Sequence, residues 1–194
     1  MIATDAATMH NNLLTHSSEQ AFLTCPRLYY YSYELGWRPE RQAKPLRMGS
    51  IGHDAIDLLA KGATVDEATA AVRAAYDDLM PQTAEWPDPT QAEYDLSIEC
   101  VTVQCLIEGY AKAWGASRIE IVESETTFDL PIVNPETGAS SRTFRQGGKR
   151  DRIGRLPDAR LMLLETKFVS ADIAPDSDFW NVLGLNRQLT KYII

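Results

Sequence analysis

Residues Arg160–Phe168 read RLMLLETKF, an apolar run that carries a glutamate and a lysine two positions apart near its end. In a strand, side chains alternate between faces, so Glu165 and Lys167 point the same way, alongside Leu161 and Leu163. Burying either charge alone is costly, so the pair calls for water, a partner or a metal ion. Read by itself, the segment is an antiparallel strand that leaves the core and ends in an exposed ion pair. The residues before it change that reading.

Upstream lies GRLPDAR, in which Pro157 and Asp158 are turn formers. A three-residue loop over 157–159 pairs Leu156 with Arg160. Counting outward sets Ile153 opposite Leu163 and Asp151 opposite Glu165. Directly opposed side chains on one face have Cβ atoms only ~5 Å apart. Two carboxylates that close repel each other. A divalent cation gives them a reason to be there: hard Mg²⁺ or Mn²⁺ takes a few carboxylate oxygens and keeps positions open for water and phosphate. Lys167, on the same face, could then hold a water or a developing negative charge. A one-residue slip in register would move Asp151 to the opposite face.

The chain around this hairpin has 194 residues and is 44% hydrophobic, which suits a single domain over 1–194, with 1–16 expected to be flexible. No apolar run approaches the ~20 residues of a membrane helix, and the N-terminus lacks a basic-then-apolar signal pattern, so no membrane association is expected. Three unevenly spaced cysteines make no disulfide framework, and a reducing cytoplasm is the default location. The net charge of −8 argues against a protein that coats nucleic acid by charge alone. Two stretches run against that average. Arg38, Arg41, Lys44 and Arg47 face only Glu40, and the stretch from Arg142 to Arg155, which holds Lys149, Arg150 and Arg152, has Asp151 as its one acid. These are candidate contacts to a DNA backbone, with solvated loops as the ordinary alternative.

The first half reads as helical. Ser17 and Ser18 offer an N-cap, Pro26 predicts a break or second start near Cys25, and MGSIGHDAIDLLAKG has apolar residues at helical spacing. Thr64-x-x-Glu67 resembles a capping box, and a long helix is expected from about Gln91 to Trp114. After Gly115 the pattern turns to strands: RIEIVESETTFDLPIV, then TFRQGGKRDRIG after the turn NPETGASS, then RLMLLETKF. DSDFWNVLGLNRQLTKYII returns to helix. The fold class predicted is α/β: a helical N-terminal half, then a mixed, mainly antiparallel sheet flanked by helices.

GGKRDRI followed by LLETK resembles the Asp…(Asp/Glu)-x-Lys core of the PD-(D/E)XK nuclease superfamily. The match is to its RecB-like branch, which includes the nuclease domains of RecB and AddB and the CRISPR-associated Cas4 proteins. SEQAFLTCPRLYYYSYELGW is similar to that branch's N-terminal Cys-Pro-Arg and tyrosine segment, and MGSIGHDAID to its glycine- and histidine-bearing helix. VESETTF is similar to the acidic strand before the hairpin, and RQLTKY to the Gln-x-x-x-Tyr helix. The motifs come in the family's order from about Ser17 to Tyr192. Arg150 departs from the pattern, where an apolar residue is usual.

The resemblance implies Asp151 and Glu165 as central metal ligands, Lys167 as the catalytic lysine, and His53 as a further ligand or organiser. It implies Glu125 as the acid of the preceding strand, with Glu123 a competitor of the same parity, and Gln188 and Tyr192 as helix residues beside the active site. It also implies Mg²⁺ or Mn²⁺ as cofactor and linear DNA, single- or double-stranded, as partner. Part of this branch holds a 4Fe–4S cluster on one N-terminal and three C-terminal cysteines. Only Cys25 matches, so no cluster is expected; Cys100 and Cys105 are read as small core residues. The ending at Ile194, inside a predicted helix, suggests a longer parent chain. The function expected is a metal-dependent DNA exonuclease. The alternative is a catalytically silent DNA-binding or assembly subunit, with a protein partner or as an oligomer.

Overall fold

The turn at Pro157–Ala159 closes as the residue types dictate. The Leu156 N–H donates to the Arg160 carbonyl at 2.9 Å, and Ala159 takes the left-handed conformation the loop requires, with φ 68°. It joins strand β3 (Ser140–Arg155) to β4 (Leu161–Leu164), antiparallel, with Ile153 opposite Leu163 and Arg152 opposite Leu164. That is the register counted from the sequence. The expected strand through Phe168 stops early, at Leu164. The Thr166 N–H, instead of extending a ladder, donates to the Asp151 carboxylate at 2.8 Å.

The structure, a computed structural model, describes residues 12–115, 119–184 and 186–192. The chain is α/β, and its sheet has the order β1-β3-β2 with β4 paired to β3. Strand β2 spans Glu120–Val133, and β1, Leu13–Leu14, runs parallel to β3 with Leu13 opposite Arg145. The sheet is therefore mixed. The expected flexibility of 1–16 falls partly on residues 1–11, outside those described. Residues Leu13–Leu14 are strand because the edge of β3 pairs with them, helped by an Arg145 N–H to Asn12 carbonyl bond of 2.8 Å. Gly147 keeps that edge open: a Cβ there would lie 2.6 Å from the Leu13 side chain.

Two compact units make up the chain. One comprises the described residues up to Gln42, Glu125–Arg150, and those from Ala171 onward; the other comprises Ala43–Ser124 and Asp151–Ser170.

The second unit is built on helices α3 (Lys44–Ala60), α4 (Val65–Asp77) and α5 (Pro89–Trp114), numbered after two short helices of the first unit. Thr64 and Glu67 form the predicted reciprocal cap, and Asp88 caps α5 through the Gln91 N–H at 3.0 Å. Leu96, Cys100, Val103 and Ile107 fall on one helical face and pack with Ile56, Val72 and Tyr76. Cys100 is in this core, but Cys105 is exposed, on another face of α5, which corrects the reading of both as core residues. Arg47 is buried too. Its guanidinium makes a two-pronged bond to Glu99, at 2.9 and 2.7 Å.

In the first unit, α1 (His16–Thr24) is capped by Thr15, which exchanges bonds with Ser18. The cap expected at Ser17 and Ser18 thus sits earlier, at Thr15, with Ser18 as its reciprocal partner. Pro26 opens α2 (Pro26–Tyr29) and a π-helical turn follows over Tyr30–Glu34, so the predicted break at Cys25 is present. The single C-terminal helix expected is two short ones, α6 (Asp178–Gly184) and α7 (Arg187–Tyr192); Asn186 Oδ1 accepts the Gln188 N–H at the start of the second. Among the described residues, no helix is long and apolar enough to cross a membrane.

Candidate active site

Three short segments of the second unit converge. Asp151 lies near the end of β3, where Arg152 begins the pairing with β4. The segment Glu165–Phe168 follows β4 directly. His53 comes from the middle of α3 and sets its Nδ1 3.6 Å from Asp151 Oδ2. Gly52, just before it, lets the Phe168 ring lie against the helix, and the His53 and Phe168 rings meet edge to face at 5.6 Å.

The two carboxylates are largely withdrawn from solvent. The Asp151 side chain is 12% exposed and that of Glu165 7%. Burial pushes the Glu165 carboxyl above its ordinary range; the hydrogen bond from Lys167 pulls it back, and the Asp151 charge pushes it up again. The Lys167 ammonium pairs with Glu165 Oε1 while remaining partly open to water. The Thr166 N–H fixes the Asp151 carboxylate from the other side of the same segment.

Arg152 sits beneath this group, 4% exposed. It donates to the Tyr110 hydroxyl at 3.1 Å and to the Thr166 hydroxyl, so it braces the segment from below. It cannot lie along a DNA backbone, and neither can Arg47, whose charge is spent on Glu99 inside the helical core. Both assignments are corrected for the same reason: a guanidinium drawn below the surface and held there by side-chain acceptors does not present its charge to a phosphate backbone outside. Arg38, Arg41, Lys44 and Lys149 are exposed. Arg38 packs over the Tyr33 ring at 5.3 Å.

Other predicted residues belong to the first unit. Glu125 lies on β2 with φ 53°, a left-handed backbone rare for glutamate, and pairs with Lys149. Glu123 is exposed. Tyr192 is buried with its ring against Phe128 at 5.4 Å, and its carbonyl accepts from Arg150 Nε at 3.2 Å. Arg150 also lies over the Phe128 ring, at 4.7 Å. This gives the unusual residue before Asp151 a packing role. Gln188 is partly buried near the start of α7.

Sequence reading missed Thr166, Phe168 and Asp57. Thr166 sits between two charged candidates and carries no signal of its own, yet it touches Asp151 through its backbone and Arg152 through its hydroxyl. Asp57 is one helical turn after His53 and accepts from Ser124 and Lys61, each at 2.5 Å. Burial alone would raise its carboxyl, but those two bonds outweigh burial and hold it below the ordinary range.

As a donor set, two carboxylates and an imidazole with no thiolate suit a hard or borderline divalent cation. A cation would also relieve the repulsion between the two withdrawn acids. A family model of the PD-(D/E)XK nuclease superfamily matches residues 13–194. No curated protein matches the chain.

Proposed function

Because the chain belongs to the PD-(D/E)XK nuclease superfamily, we propose that it is a RecB-like, Mg²⁺- or Mn²⁺-dependent DNA nuclease acting from strand ends. The observation that carries this reading is the meeting of His53, Asp151 and the Glu165–Lys167 segment within one unit. Asp151 and Glu165 offer carboxylate oxygens to the cation and His53 an imidazole nitrogen; Glu125 is proposed as a further carboxylate from its place in the family resemblance. A cation held by these residues would supply an acidified water and offset phosphate charge.

The chain's own groups do the rest. Thr166 holds the Asp151 carboxylate in one orientation, so that the ligand geometry exists before the ion arrives. Lys167 reaches from Glu165 toward solvent, where its ammonium orients the attacking water and meets the charge that develops on the phosphate. Exposed Arg38, Arg41, Lys44 and Lys149 serve as phosphate contacts that position the strand without reading its sequence. Gln188 is proposed as a site residue from its place in the family resemblance alone, and Tyr192 acts through packing.

The test pairs affinity with turnover in wild type, Lys167→Met and Lys167→Arg. DNA affinity is measured in Ca²⁺, and cleavage in Mg²⁺, Mn²⁺ or EDTA on linear and circular DNA. Both variants are expected to bind within a few-fold of wild type and to lose cleavage by orders of magnitude, since the ammonium acts on the transition state. Cleavage of circles as fast as of linear DNA would replace the exonuclease with an endonuclease. A wild type that binds DNA and never cuts it would leave the silent assembly subunit.

A further inference from the structure

The segment that completes the site also lines an open cavity of about 810 Å³, whose lining residues all belong to the second unit. That volume lies within the range of small-molecule sites. Its walls are mainly apolar: Ile56 of α3, Ile121 of β2, and Trp114 at the end of α5. Trp114 is 57% exposed although it stands on the cavity wall. Glu165, Thr166 and Lys167 line it as well.

One polar group in that lining has an unmet need. Arg152 is 4% exposed, and its two terminal nitrogens are taken by Tyr110 and Thr166. Its Nε–H is buried and has no acceptor among the described residues. A buried donor left in that state is costly and marks a place where a ligand acceptor would be welcome.

The geometry points to a nucleobase subsite: the cavity takes one unpaired base of the strand whose phosphate lies at Lys167, with Trp114 as the stacking face and Arg152 Nε as donor to the base edge. This rests on the nuclease reading and adds the form of the substrate. A phosphate would find the Arg152 guanidinium already engaged by Tyr110 and Thr166, and the Lys167 ammonium already paired with the Glu165 carboxylate, among mainly apolar walls, a poor match. A base has two apolar faces and an acceptor-bearing edge, which is what those walls and that donor complement. Because residues 165–167 belong to both the cavity and the site, the group next to a phosphate held there is the one that meets the cavity. A base in a duplex would have to bring its partner with it, so the subsite selects an unpaired end.

The experiment uses the full chain in Ca²⁺ and end-labelled single-stranded oligonucleotides with one abasic residue, moved stepwise from the end. Wild type should show one position at which losing the base weakens binding about ten-fold, the usual weight of one stacked base. Trp114→Ala should remove that dependence and bind intact and abasic strands alike, while Trp114→Phe should keep most of it. A fully paired blunt duplex should bind wild type more weakly than the intact single strand. Melting temperatures confirm that the variants fold. Equal affinity for every abasic position in wild type, or a dependence that survives Trp114→Ala, overturns the subsite. Cleavage is scored separately: base dependence without turnover supports the subsite and sinks the nuclease reading, whereas turnover without base dependence sinks the subsite alone. A wild type that neither binds nor cuts overturns both.

Discussion

The Phe168 ring occupies the space that a side chain at position 52 would need: a Cβ on Gly52 would lie 2.2 Å from the ring's Cζ. The contact ties the segment after Lys167 to the helix that carries His53. Gly52→Ala must push the ring away, at a cost of about 1–3 kcal/mol, and should reduce cleavage by separating His53 from Glu165 and Lys167. Adding Phe168→Leu should restore part of the stability. Thermal melting and cleavage rates on the single and double variants check this. A Gly52→Ala protein that melts and cuts like wild type would show that the ring contact does not set the site.

Buried Arg47 and Glu99 should behave as one unit. Arg47→Met strands a carboxylate that is 1% exposed, and breaking such a pair typically costs about 3–5 kcal/mol. Arg47→Met with Glu99→Leu should recover much of that loss. The double variant should bind DNA like wild type, because Arg47 does not reach the surface. Chemical denaturation and a DNA titration decide it; a selective loss of DNA affinity would return Arg47 to the phosphate-binding set.

Asp57 gives a pH signature. Its folded carboxyl is held below its ordinary value, so it binds fewer protons than the unfolded chain and its stabilisation is fully present above the ordinary aspartate pKa of about 3.9. That stabilisation is lost as pH falls through the lower folded value. Asp57→Asn should therefore melt below wild type at pH 7, by roughly 1 kcal/mol or less for a pair with so exposed a lysine. The gap should close on acidification below pH 4. A gap that stays constant from pH 7 to pH 3 would mean that the charge of Asp57 contributes nothing.

Metal should raise the melting temperature by binding the native state, by about 2.7 kcal/mol when the free ion stands at 100 times its Kd. Asp151→Asn should remove that response, and it should stabilise the metal-free protein by easing the repulsion on Glu165. Differential scanning with Mg²⁺ and Mn²⁺ on both proteins tests it. Equal shifts in wild type and variant would place the ions elsewhere.

Local patterns in the sequence were enough for the hairpin and its surroundings. Pro157 and Asp158 set the turn, and the turn set the register that runs from Arg155 opposite Leu161 to Arg152 opposite Leu164. The helical half was legible from its caps and apolar spacing, as in Thr64 with Glu67. What failed was whatever depends on partners distant in the chain. Arg38 and Arg47 read alike in one basic stretch, but Glu99, 52 residues away, draws only Arg47 into the core. Cys100 and Cys105 lie on one helix and part ways because only one faces Val72 and Tyr76. Strand β4 stops at Leu164 because a side chain from the neighbouring strand captures the next free N–H. A sequence by itself determines which backbone conformations and faces are available, since those follow from each residue and its near neighbours. The tertiary structure decides which polar groups are buried, because a charge can leave water only where the fold supplies the partner that compensates it.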